Sequence, residues 1–145
     1  RFIMSLEEAV ELVVFAFSNA ESGDIMVQKA PACTISVLAQ AVKELFNPAT
    51  EMNIIGIRHG EKMYETLLTK EEAANALDMG NFFRVPCDKR DLNYEKYFDQ
   101  GNKQAVTITE FNSENTMILD VETVKNKLLS LKYIMDELAA MENKK

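Results

Sequence analysis

Met52-Asn53-Ile54-Ile55-Gly56-Ile57-Arg58-His59-Gly60-Glu61 is a short apolar, β-branched run that stops at a glycine turn carrying an arginine and a glutamate. Such a run predicts a strand ending at Ile57, and Gly60 permits the sharp turn that leaves it. A strand end of this kind aims a planar guanidinium and a carboxylate from one rigid support. Arginine offers a bidentate fork for phosphate, and glutamate accepts hydrogen bonds from a vicinal diol. Together Arg58 and Glu61 suit a ribose joined to a diphosphate, as in a nucleotide sugar. The same residues also fit an ordinary turn closed by a surface ion pair, an interaction of small energetic weight. His59 reads as a turn residue rather than an acid or base.

Outward from this turn, helices and strands alternate. Arg1-Phe2-Ile3-Met4 is strand-like, and Ser5-Leu6-Glu7-Glu8 forms a capping box for a helix from about Leu6 to Phe17. Leu6, Ala9, Val10, Val13 and Phe17 make its predicted apolar face. Asn19 to Gly23 breaks that helix, and Asp24 to Gln28 reads as a strand. Thr34 caps a second helix, Ile35 to Phe46, closed by Asn47-Pro48. Tyr64 to Leu68 is extended or irregular. Thr69-Lys70-Glu71-Glu72 is a second capping box, for a helix running to Gly80. A strand is expected from Asn81 to Val85, ended by Pro86. Asp88 to Lys103 reads as a long loop pinned by Tyr94, Tyr97 and Phe98, followed by a strand from Val106 to Thr109. Asp120 caps one last helix whose Val124, Leu128, Leu131, Met135 and Leu138 form an apolar seam, suited to packing on its own domain or to a subunit contact.

With 145 residues, the chain has room for one domain with its own core, spanning residues 1–145. Its 47% apolar and 27% charged residues are those of an ordinary soluble globular protein. A net charge of −7 without any basic stripe argues against a nucleic-acid partner. No apolar stretch approaches the ~18 residues that span a bilayer, so no membrane partner is expected. Cys33 and Cys87 lack ligand spacing and read as buried or half-buried thiols of a reducing cytoplasm, without a disulfide. A single histidine makes a zinc site, or any other metal site, unexpected. The glycines at 23, 56, 60, 80 and 101 cannot build a G-x-G-x-x-G phosphate loop, and there is no Tyr-x-x-x-Lys pair or Ser, His and Asp grouping. Read from the residues alone, this is a substrate-binding or cap domain without its own catalytic centre. Its abrupt strand-like start fits the carboxyl-terminal part of something longer.

Two runs, Arg1 to Val10 and Gly23-Asp24-Ile25-Met26-Val27-Gln28-Lys29-Ala30-Pro31-Ala32, resemble the carboxyl-terminal half of extended short-chain dehydrogenase/reductases that act on UDP-sugars. Arg58-His59-Gly60-Glu61-Lys62-Met63-Tyr64-Glu65 and Arg90-Asp91-Leu92-Asn93-Tyr94-Glu95-Lys96-Tyr97-Phe98 are similar to one branch of them. That branch holds the UDP-N-acetylglucosamine 4,6-dehydratase/5-epimerases of capsule and O-antigen biosynthesis, some of whose members are called UDP-glucose 4-epimerases. The resemblance implies an α/β (α+β-like) fold: a small carboxyl-terminal substrate-binding domain of helices with a few short strands, its Rossmann domain absent. It also implies a parent whose amino-terminal Rossmann domain holds NADP or NAD and a Tyr/Lys catalytic pair, no cofactor being expected on this chain. In that chemistry C4 of the sugar is oxidised by hydride transfer to the cofactor, which acidifies the C5 proton. The C6 hydroxyl is then eliminated and the hydride returns to C6, leaving a 4-keto-6-deoxy sugar inverted at C5.

Carried over residue by residue, Arg58 matches the diphosphate arginine and Glu61 the acidic residue on the ribose hydroxyls. Arg1 matches a motif arginine placed for a second phosphate contact. Lys89 and Arg90 stand where they would line a lid, or equally a solvated face or subunit contact. Lys29 reads as a solvated strand-end lysine. No catalytic, cofactor or metal residue is expected in this chain, which should be inactive by itself. The expected partners are UDP-N-acetylglucosamine or a related UDP-sugar, the protein's own Rossmann domain, and further copies in a homo-oligomer. Two other classes compete: a non-catalytic assembly module built on the terminal helix and the Arg90 to Phe98 loop, and a stand-alone nucleotide-binding regulator.

Overall fold

A computed structural model describes residues 1–87 and 110–143. In order, the elements are α1 (Leu6–Asn19), β1 (Ile25–Gln28), α2 (Ile35–Phe46), β2 (Thr66–Leu68), α3 (Lys70–Asn75), β3 (Leu77–Asp78), β4 (Phe82–Val85), β5 (Phe111–Asn112), α4 (Val121–Leu129) and α5 (Lys132–Glu142). The mixed helix-and-strand class is the expected one. The expected loop of Asp88 to Lys103, with its three aromatics, and the strand of Val106 to Thr109 lie outside the described residues, as does Arg90.

Two units form, each from discontinuous segments. The first comprises Arg1–Ser5, Ala30–Glu65 and Ser113–Lys145. Its helix α2 has the predicted bounds because Thr34 accepts a hydrogen bond from the Val37 N–H at 3.1 Å, satisfying a first-turn donor. Asp120 caps α4 the same way, accepting from the Thr123 N–H at 2.8 Å. Cys33, Ala41, Leu119 and Val124 are buried together, with Val37, Leu38 and Leu128 packed around them. The predicted strand of Arg1 to Met4 is reduced to one bridge, Phe2 to Ala32, flanked by Ile3 N–H to Pro31 O at 2.8 Å. The expected single last helix is divided at Ser130 and Leu131: the Ser130 hydroxyl turns back onto the Lys127 carbonyl at 2.7 Å and α5 starts afresh.

The largest departure is Met52 to Ile57, which is not a strand. Ile54 is 98% exposed, and no described strand pairs with the run. β-propensity expresses fit to a neighbouring pleated surface, so without a partner it does not hold a strand. Gly56 at φ +76° also breaks the extended path.

The second unit comprises Leu6–Lys29 and Thr66–Asn112. β4 is the centre of a three-stranded antiparallel sheet in the order β1-β4-β3, with Val27 opposite Phe83 and Asp78 opposite Phe83 on the other side. β2 and β5 form a separate antiparallel pair. The Thr69/Glu72 capping box is present, yet α3 stops at Asn75 rather than Gly80. Leu77 and Asp78 are taken by pairing with β4, and ladder hydrogen bonds outweigh helix propensity there. Helix α1 extends to Asn19 but has no fully buried residue, and its half-buried side is not the stripe expected. Leu6, Val10, Val13 and Phe17 are exposed, whereas Phe15 stacks on Phe82 at 4.2 Å. Val10 to Phe17 is apolar almost all round, so periodicity alone allowed two stripes. Cys33 is buried, but Cys87 is exposed, against expectation; neither is in a disulfide. The chain leaves β4 after Val85, and the Cys87 backbone N–H beyond it donates to Asp24.

Asp24 joins the ends of β1 and β4. Its carboxylate, 1% exposed, accepts from Arg84 Nε at 2.5 Å, the Glu21 N–H at 2.8 Å and the Cys87 N–H at 3.0 Å. The Glu21 N–H, then the Cys87 N–H and Arg84, hold its pKa below the ordinary carboxylate value. A depressed folded pKa means that the stabilisation is complete above the unfolded pKa, near 4, and is lost as pH falls through the folded value. Melting temperature should therefore drop as pH is lowered from about 4 towards 2. Asp24→Asn should melt lower at neutral pH and show a shallower acid dependence; parallel curves for the two proteins would exclude Asp24 as the titrating group. Lys29, expected to be a solvated strand-end residue, instead pairs with Asp78 at 2.6 Å and lies 4.3 Å from the Phe83 ring centroid.

Candidate functional site

The first unit brings four stretches of sequence to one open cleft of about 600 Å³. Arg1 reaches it because its α-ammonium donates to Cys33 O at 2.7 Å and its carbonyl accepts from the Cys33 N–H at 2.9 Å. The same pairing places Thr34 and Ile35, at the start of α2, on the cleft wall. Ala32 is bridged in parallel to Ile118, through Ala32 N–H to Met117 O and Leu119 N–H to Ala32 O at 2.9 and 2.8 Å. That bridge supplies Ile118, with Ser113 and Glu114 nearby in sequence. Gly56, Ile57, Glu61, Lys62 and Met63 complete the lining.

The Arg58 to Glu61 turn has the expected local form without the expected strand. The Glu61 N–H bonds Arg58 O at 3.1 Å, and the Arg58 N–H returns a bond to Glu61 Oε2 at 3.1 Å. Glu61 Oε1 meets Arg1 Nη2 at 3.1 Å. The Arg58 N–H, followed by the Arg1 guanidinium, lowers the Glu61 pKa, keeping it an acceptor at neutral pH. Arg1 Nη1 also bonds Glu65 Oε1. Burial pushes the Cys33 thiol up, so it stays protonated and inert on the wall.

Arg1 and Glu61 are therefore brought together at the cleft, and Arg58 is held in the same turn by its backbone. The Arg58 side chain is exposed, and its guanidinium makes no hydrogen bond or ion pair among the described residues. Arg90, the fourth residue singled out from sequence, lies outside the described residues. Glu65 and Ser113 escaped the sequence reading as site residues. Glu65 sits four residues after Glu61, a weak signal; Ser113 is joined to it only by tertiary structure. Among the described residues no group of three or more His, Cys, Asp or Glu side chains is placed to hold a metal.

The site is thus an arginine and a carboxylate paired on the wall of an open cleft in a mixed α/β fold. Residues 1–87 match the family described as polysaccharide biosynthesis protein, and residues 88–135 match polysaccharide biosynthesis protein C-terminal. The chain belongs to the polysaccharide biosynthesis protein family.

A UDP-glucose 4-epimerase of Rickettsia felis is 51% identical over 138 residues, covering 95% of this chain and 40% of that protein. A UDP-glucose 4-epimerase of Rickettsia bellii is 50% identical with the same coverage. The chain thus spans 40% of the length of these curated relatives. Among solved structures, the X-ray structure of Pen from Bacillus thuringiensis superposes with a TM-score of 0.72 at 26% identity, over 91% of this chain and 37% of that one. The resemblance to the carboxyl-terminal part of an extended short-chain dehydrogenase/reductase, and the fold class drawn from it, hold.

Proposed function

We propose that this chain is the UDP-sugar-binding portion, residues 1–145, of a nucleotide-sugar dehydratase/epimerase in polysaccharide biosynthesis. One observation carries the reading: Glu61 of the Arg58–Glu61 turn meets Arg1 on the wall of an open cleft in a chain of this family, with Arg58 exposed in the same turn just outside the lining. Arg58 supplies a fork for the diphosphate and Glu61 an ionised acceptor for the ribose diol, while the first turn of α2 adds a favourable dipole for an anion. The substrate is UDP-N-acetylglucosamine or a related UDP-sugar, the reaction 4,6-dehydration with C5 inversion, and the setting the cytoplasmic stage of capsule or O-antigen assembly by a homo-oligomer.

NADP or NAD would act as hydride acceptor and donor in the parent protein. The residues present here do not fit a dinucleotide. Gly23, Gly56, Gly60 and Gly80 all have positive φ, but they stand apart in the sequence and none opens a helix after a strand. The chain's own residues bind and orient UDP.

The relatives' names favour a second reading, UDP-glucose 4-epimerisation. Products of the full-length protein separate the two. A dehydratase converts UDP-N-acetylglucosamine to a product lighter by one water, whereas an epimerase converts UDP-glucose to an isomer of equal mass. Neither product, with UDP also failing to bind, would remove both readings in favour of an assembly module. The purified chain by itself should show no turnover and no NAD(P) binding; product from this chain alone would overturn the division of labour.

A further inference from the structure

The structure assigns Glu65 a positioning role: anchored by Ser113, it holds the Arg1 guanidinium at the cleft in the orientation that a UDP-sugar's anionic group meets. The inference rests on the UDP-sugar reading above and adds to it a residue that touches no ligand.

Arg1 carries a long side chain with several free torsions, and something must aim it. Two carboxylates do so: Glu61 Oε1 receives Nη2 at 3.1 Å, and Glu65 Oε1 receives Nη1. They are differently supported. Glu61 stands in a turn closed only by its own exchange of hydrogen bonds with Arg58. Glu65 is fixed on both sides of its backbone: its N–H donates to Ser113 Oγ at 3.0 Å, and its carbonyl accepts from the Ser113 N–H at 2.8 Å. Ser113 is itself buried, 6% exposed. Arg1 is tied at the other end by its backbone exchange with Cys33. The guanidinium therefore spans two firm supports, the Arg1–Cys33 pairing and the Glu65–Ser113 pairing, and the Glu61 turn is drawn against it.

A guanidinium has five N–H donors, and these two contacts leave others for a ligand. Fixing the fork before the ligand arrives removes part of the ordering cost of binding. Glu65 also offsets the charge of Arg1, so the clamp persists without ligand.

The test is a double-mutant cycle in the full-length protein, read as UDP affinity by calorimetry. Glu65→Gln should weaken UDP about 2- to 10-fold. In an Arg1→Ala background the same substitution should have no further effect, because Glu65 acts through Arg1. Equal weakening in both backgrounds, or none in either, overturns the positioning role. Arg58→Ala serves as the control. If it costs affinity while Glu65→Gln does not, the ligand reading stands and the role of Glu65 falls. If UDP binds to none of the proteins, the ligand reading falls, and nitrogen-15 NMR of the free protein decides the clamp. Slow rotation of the Arg1 Nη groups, made fast by Glu65→Gln, supports it; fast rotation in the unsubstituted protein overturns it.

Discussion

Phe83→Ala should lower the stability of this chain by about 3–5 kcal/mol, the range for truncating a buried aromatic residue. Phe83 is 2% exposed on β4, the strand that carries both ladders of the three-stranded sheet. Its ring meets Phe111 edge-on, 5.5 Å between centroids, and lies under the Lys29 ammonium at 4.3 Å. Truncation would remove apolar burial, the edge-to-face contact and the cation's partner at once, and would leave a void beside Val27 and Asp78, its cross-strand neighbours. Phe83→Leu keeps most of the volume and should cost clearly less. Urea titrations with an unchanged m-value check this. A loss under about 1 kcal/mol for Phe83→Ala would mean that the sheet collapses around the gap or that the Phe83 environment is looser than described.

Arg58→Ala in the full-length protein should weaken UDP binding by about 1.5–3 kcal/mol, the range for a hydrogen bond to a charged group. That is roughly a 10- to 150-fold loss of affinity. Arg58→Lys should recover only part, because an ammonium restores charge without the planar fork. The substitution isolates binding from folding, since the Arg58 guanidinium makes no hydrogen bond or ion pair among the described residues and its turn is closed by backbone groups that alanine retains. Stability should therefore stay within about 0.5 kcal/mol of the unsubstituted protein. Unchanged calorimetric affinity in Arg58→Ala would remove Arg58 from the site. Lost affinity with an equally large loss of stability would point to a structural role instead.

Local chemistry made part of this protein legible in its sequence. Thr34, Thr69 and Asp120 mark helix starts because a side-chain oxygen satisfies an N–H within three residues, and all three caps are present. The Arg58–Glu61 turn was legible for the same reason, being closed by bonds three residues apart. The mixed fold class followed from alternating helical and strand-like patterns. Tertiary structure decided whatever depended on a partner distant in sequence. Met52 to Ile57 has strand composition but finds no described strand to pair with, and stays exposed. Leu77 and Asp78 left their predicted helix for β4. Helix α1 had two usable apolar stripes, and stacking of Phe15 on Phe82 favoured one. The cleft itself belongs to this second group. Arg1, Glu61, Glu65 and Ser113 are separated by up to more than a hundred positions, and no periodicity links them. They meet because backbone pairings at Cys33 and Ser113 bring their segments together, and such long-range hydrogen bonds leave no local pattern in the chain.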